Sequence, residues 1–224
     1  MTKRAGLVLG LAVFIAAPAA AQWAGVPAWN DPKSGTGVTI SGDFGKPNTD
    51  AGKGTAFGAR AALGLGPLTL ALGITSWEPE ALNERTTSLG GTAAFRVIGG
   101  SLLPVAINLQ AGAATSGEIT SGTGTLPKMA TVTGAIGLSV NVPTPGLSIE
   151  PYFSPGLRYH RSIDVPPAGG DDSETNLGFT IGANLGLGLF GIHLAYDSEK
   201  FDDGTTHGVF GIGAHIGLRP PLGT

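Results

Sequence analysis

Five residues in this sequence have the types that hydrolytic chemistry uses, provided the fold brings them together: Asp43, Arg158, His160, Asp197 and His207. A carboxylate that orients an imidazole lets that imidazole take a proton from water, which is general-base catalysis. A second set, Arg60, Arg96, Glu150, His193, His215 and Arg219, has the composition of a charge network. The plainer reading of both sets is structural, because arginine–carboxylate pairs brace and fill a narrow interior. That reading is preferred, and no residue is assigned as catalytic.

Metal and cofactor chemistry find less support. The chain has four histidines and no cysteine, and no two histidines stand at ligand spacing, so no metal and no cofactor are expected. Acidic residues gather in two places, Asp164, Asp171, Asp172 and Glu174, then Asp197, Glu199, Asp202 and Asp203. Such oxygen clusters can hold a divalent cation, but a solvated, repulsive surface is the simpler account. The glycine spacing of 182–188 superficially matches a dinucleotide fingerprint. It lies inside a strand pattern with no helix following, so the match is discarded.

The elements that must position these groups are strands. Over 68–75, Leu68, Leu70, Leu72 and Ile74 alternate with Thr69, Ala71, Gly73 and Thr75. A period of two sends successive side chains to opposite faces. Ten such segments are expected, at 36–45, 54–65, 68–77, 86–98, 104–114, 129–142, 147–160, 174–187, 190–198 and 207–219, with eight strands as the alternative count. Tight turns at 66–67, 99–103, 143–146 and 188–189 alternate with longer polar loops at 46–53, 78–85, 115–128, 161–173 and 199–206. Short turns on one side and long loops on the other is the rhythm of a transmembrane antiparallel up-and-down β-barrel.

Face chemistry decides which side meets lipid. The non-apolar face is Gly, Ser, Thr, Asn and Ala with scattered charges, as in Asn176, Gly178, Thr180, Gly182, Asn184 and Gly186. A surface with so little charge would be poorly soluble but suits a small lumen. Phe44, Phe57, Tyr159, Phe179, Tyr196 and Phe210 fall on the apolar face near the long-loop ends, where an interfacial girdle belongs. The charges above therefore line the lumen. With the first strand running outward, Asp43, His160, Asp197 and His207 are expected together at the extracellular mouth.

Residues 1–21 read as a secretory leader, with Lys3 and Arg4 before an apolar run and Ala19-Ala20-Ala21 before Gln22. Its removal would take the formal charge from −3 to −5, which argues against nucleic acid as a partner. Residues 22–35, with Trp23 and Trp29, read as a periplasmic extension tucked into or under the barrel's lower mouth. Residues 36–219 are the barrel and 220–224 a tail.

With its leader and alternating strands, the chain resembles the small outer-membrane β-barrel proteins of Gram-negative-type bacteria. That resemblance implies outer-membrane lipid and the barrel-assembly machinery as partners, with the oligomeric state left open. Leu218 stands where such barrels commonly carry a terminal aromatic, a departure that touches assembly rather than fold. Ten strands with acidic and histidine residues at one mouth also look like the omptin surface proteases, though no omptin motif is matched. The expected function is a narrow passive pore or an envelope-anchored surface protein. A surface hydrolase or a loop-based adhesin is the alternative.

Overall fold

The computed structural model describes residues 23–29, 35–100, 103–121, 124–163 and 173–218. The expected leader, Arg219, the tail, Asp164, Asp171 and Asp172 lie outside the described residues. Every regular element described is a strand. In chain order these are β1 (Thr36–Pro47), β2 (Thr55–Leu65), β3 (Leu68–Glu78), β4 (Thr86–Gly100), β5 (Leu103–Ser116), β6 (Ile119–Ser121) and β7 (Gly124–Leu126). They continue as β8 (Met129–Val140), β9 (Val142–Thr144), β10 (Leu147–Ser162), β11 (Ser173–Leu187), β12 (Phe190–Lys200) and β13 (Thr206–Leu218).

Ten of these form one antiparallel sheet that closes on itself. Neighbours in sequence pair along the sheet, β13 pairs with β1, and β10 pairs with β11, so no strand edge is left open. Closure satisfies backbone groups that lipid cannot. β9 continues β8 past Asn141 and pairs with the start of β10. An 11-residue strand such as β2 is about 36 Å long. Tilted by about 40°, it rises about 28 Å, close to the hydrocarbon thickness of a bilayer.

Side-chain direction follows the alternation. Leu72, Leu177, Ile181, Ile192 and Ile212 point outward and are exposed, Leu177 by 72%. Ser41, Thr75, Asn108, Ser139, Thr180 and His193 point inward and are buried. A continuous apolar exterior of this extent would aggregate in water and is matched to lipid. The expected girdle faces outward, with Phe57, Tyr159, Phe179, Tyr196 and Phe210 exposed and Phe44 half-buried. Phe44 and Phe57 pair across β1 and β2 with ring centroids 5.5 Å apart.

The tight turns use the glycines that turns require. Gly66 and Gly188 hold φ of 72° and 65°, a left-handed conformation that costs a residue without Cβ little. At the other end the connection after β5 differs from the loop expected over 115–128. It folds into the β6–β7 hairpin, which turns Ile119 and Leu126 down into the interior, where both are buried.

Candidate functional site

The lumen is organised around the segment 23–29. Trp23 and Val26 form an isolated bridge around a turn at Gly25, whose φ is 76°. The segment carries three large apolar side chains, and water excludes them. Trp23, Val26 and Trp29 are 1%, 0% and 7% exposed and pack with Ala56, Trp77, Leu82, Tyr152 and Ala195, under Ile119 and Leu126 of the hairpin. The segment was expected to tuck into or under the tight-turn mouth; it reaches further along the lumen than a position at that mouth. Hydrophobic burial carries it into the long-loop half.

The wall is shaped to receive it. A Cβ at Gly45 would lie 2.0 Å from the Gly25 carbonyl oxygen, and one at Gly211 would lie 2.5 Å from Cδ of Pro27. Polar ties fix the register of plug and wall. Thr75 donates its hydroxyl to the Ala24 carbonyl at 3.1 Å, and Ala28 donates its N–H to Asp197 Oδ2 at 3.2 Å. The Arg60 guanidinium lies over both indoles, 5.9 Å from the Trp23 ring and 5.5 Å from Trp29.

Two charge clusters flank the plug. In the upper one, Arg158 grips Asp197 in a fork, Nη1 to Oδ1 at 2.5 Å and Nη2 to Oδ2 at 2.8 Å. Thr180 donates to Asp197 Oδ2 at 2.8 Å. Glu199 accepts from Asn176 at 3.0 Å and from Arg158 at 3.3 Å, and meets His160 Nε2 at 2.5 Å. The other ring nitrogen of His160 is 3.1 Å from the Thr131 hydroxyl. Both carboxylates are fully buried and saturated with donors, the condition under which buried charge is tolerated.

In the lower cluster Asp43 accepts from Arg60 Nε at 2.9 Å and lies 2.6 Å from His193 Nε2. His193 Nδ1 is 3.1 Å from Nδ1 of His215. The network closes when His193 carries its proton at Nε2 and His215 carries its proton at Nδ1. Trp29 packs edge-on against His193, with centroids 4.5 Å apart.

Below the plug the lumen is open. A cavity of about 1180 Å³ runs from a ceiling of Ala28 and Trp29 down to Gly64 near the end of β2 and the tight-turn residues Gly146, Gly188 and Leu189. Ser41, Thr69, Arg96, Gln110, Glu150 and His215 are among its lining residues. The small polar face read as a water-filled passage is thus a vestibule in one half and a socket in the other.

The sequence-expected sets are re-sorted. Asp197, Arg158 and His160 come together as one cluster. Asp43 joins Arg60, His193 and His215 rather than the mouth group. His207 makes no hydrogen bond with either ring nitrogen among the described residues, and packs tilted against Phe201 with centroids 3.9 Å apart. Glu150 accepts from Ser139 at 2.8 Å, and Arg96 lines the vestibule. Glu199 was read only as part of an acidic loop cluster and Asn176 only as a lumen-face residue, and neither was placed with Arg158 and His160. Glu199 follows Asp197 by two on the same strand face, a signal obscured by reading 199 as the start of a loop.

No protein-family model matches this chain, and no curated protein matches it. Among solved structures, the β domain of the Bordetella autotransporter Brka is 11% identical with a TM-score of 0.50, covering 82% of this chain and 100% of its own. A bacterial polysaccharide outer membrane secretin is also 11% identical, at a TM-score of 0.46 over 75% of this chain. The present chain spans only 57% of that protein. The outer membrane protease OmpT of Escherichia coli is 9% identical at a TM-score of 0.40, covering 82% and 94% of the two chains. The fold is that of the outer-membrane β-barrels: a closed ten-strand antiparallel barrel.

Proposed function

We propose that this chain is a non-conducting, envelope-anchored surface protein whose barrel holds its long loops at the outside of the outer membrane. The observation that carries this reading is the burial of Trp23, Val26 and Trp29 in the long-loop half, beneath Ile119 and Leu126. Filling that half with apolar side chains disfavours the passive-pore alternative. The hydrolase alternative is disfavoured by the carboxylates: Asp197 and Glu199 already accept from arginine, amide and hydroxyl groups, so neither stands ready as a free base. A cleaved leader at residues 1–21 and delivery by the barrel-assembly machinery complete the proposal.

The test is surface display. The native chain lacks cysteine, so Ser121→Cys in the hairpin loop gives a single label site. An impermeant maleimide should react with it in intact cells. Reaction only after lysis would place the long loops on the periplasmic side and overturn the reading.

A further inference from the structure

The junction of β1 with β13 is the one place in the ring of ten strands that no connecting segment spans. Bringing the two ends of the chain together there costs closure entropy that a short turn avoids. Three successive lumen-facing rows cross this seam in register, each running from β1 through β13 to β12. In the lowest row Asp43, Gly213 and His193 stand side by side, and Asp43 Oδ1 meets His193 Nε2 at 2.6 Å over the glycine. A Cβ at Gly213 would lie 2.6 Å from the same oxygen and would overlap the imidazole. Glycine in a strand permits such close approach, and here it lets a side-chain bridge pass over the last strand.

The plug crosses the next row. Gly45 and Gly211 are partners across the seam, and each lies directly against the plug, Gly45 against the Gly25 carbonyl and Gly211 against the Pro27 and Trp29 rings. In the highest row Asp197 of β12 takes the Ala28 N–H. β13 is therefore overlain from within by contacts that end on β1 and β12. The same device stands two strands away, where Arg158 of β10 reaches Asp197 of β12 over Gly178 of β11. A Cβ at Gly178 would lie 2.9 Å from Cζ of Arg158. With Arg60 of β2 bound to Asp43, side-chain contacts join β10, β12, β1 and β2 past both glycine-bearing strands.

We propose that the plug and the Asp43–His193 bridge are an internal lock on the β1–β13 seam, so that the barrel opens there only when the plug leaves. Backbone pairing alone would let the last strand fray first, since nothing covalent ties it to β1. The lock adds contacts that must break together with that pairing. It acts whichever side of the membrane the long loops face.

Amide hydrogen exchange of the refolded protein in lipid vesicles reads the lock strand by strand. In the wild type, β1 and β13 should exchange as slowly as β5 and β8, which lie opposite the seam in the ring. Gly211→Leu displaces the plug, and His193→Leu cuts the bridge while leaving Asp43 its Arg60. Each should speed exchange in β1 and β13 about tenfold or more, the scale of losing the packing of one large buried side chain. β5 and β8 should be unchanged. Ile212→Val, on the lipid face of β13, is the control and should exchange as the wild type does. Heat-dependent gel mobility reports folding. Should one variant not fold, the other carries the comparison, and the wild-type ordering of strands needs neither. A wild-type seam that exchanges faster than β5 and β8 overturns the lock. So does a folded variant whose exchange is unchanged, or rises equally in every strand.

Discussion

Ala28 and Asp197 lie 169 positions apart, and the Ala28 N–H donates to Asp197 Oδ2 at 3.2 Å. That bond joins the plug to a wall carboxylate that Arg158 also clamps. Beyond this bond, the Thr75 hydroxyl and the Arg60 guanidinium, the plug is held by packing. The indole N–H groups of Trp23 and Trp29 are buried without a partner among the described residues. Apolar burial drives the segment in, and a few polar contacts set its register.

The buried pair should be sensitive to loss of one partner. Arg158→Ala leaves Asp197 charged in a closed interior and is expected to cost about 3–5 kcal/mol. Arg158→Leu with Asp197→Leu should recover part of that loss. Urea unfolding of the vesicle-inserted protein checks both, and a single variant as stable as the wild type would contradict the pairing.

All three described tryptophans point inward: Trp23 and Trp77 are 1% exposed and Trp29 is 7%. Brominated acyl chains quench indoles that touch lipid, so they should quench this protein weakly. Strong quenching would put at least one tryptophan on the lipid face.

Gly211 tests the socket separately from the barrel. The three atoms nearest to a Cβ there all belong to the plug, Cδ and Cγ of Pro27 and a ring carbon of Trp29. Gly211→Leu should displace the segment and red-shift tryptophan emission while heat-modifiable gel mobility is kept. Gly42→Leu faces open space and should change neither.

Outside the membrane, the loop between β12 and β13 carries a pH-sensitive turn. The hydroxyl and N–H of Thr205 donate to Asp203 Oδ1 at 2.7 and 2.8 Å and hold its carboxyl below the usual range. A depressed carboxylate stabilises the folded turn above the unfolded value, and that contribution fades as pH falls through the folded one. Thr205→Val removes the hydroxyl and should raise the Asp203 midpoint, read by NMR titration of its carboxyl carbon. An unmoved midpoint would contradict the contact.

Strand positions were legible because lipid on one side and lumen on the other impose a strict period of two. β2, β3 and β10 lie within two residues of their expected bounds. The aromatic girdle was legible for the same reason, since Phe44, Phe57 and Phe210 share the apolar parity. Charge pairing was not. Asp43 meets His193 because register across β1, β13 and β12 brings them together, and no local pattern encodes register around a closed sheet. How far the plug reaches into the lumen was not legible, because its bridge lacks alternation and Trp23 and Trp29 gain their meaning only from the cavity they fill.

Single-channel recording tests the central claim most directly. The refolded wild type in a planar bilayer should be silent, because Trp23, Val26 and Trp29 occupy the long-loop half beneath the hairpin. A variant lacking residues 23–29 should show discrete steps if the barrel remains folded, since the vestibule would then extend upward. Regular steps from the wild type, with the size and frequency of that variant's, would contradict a closed barrel.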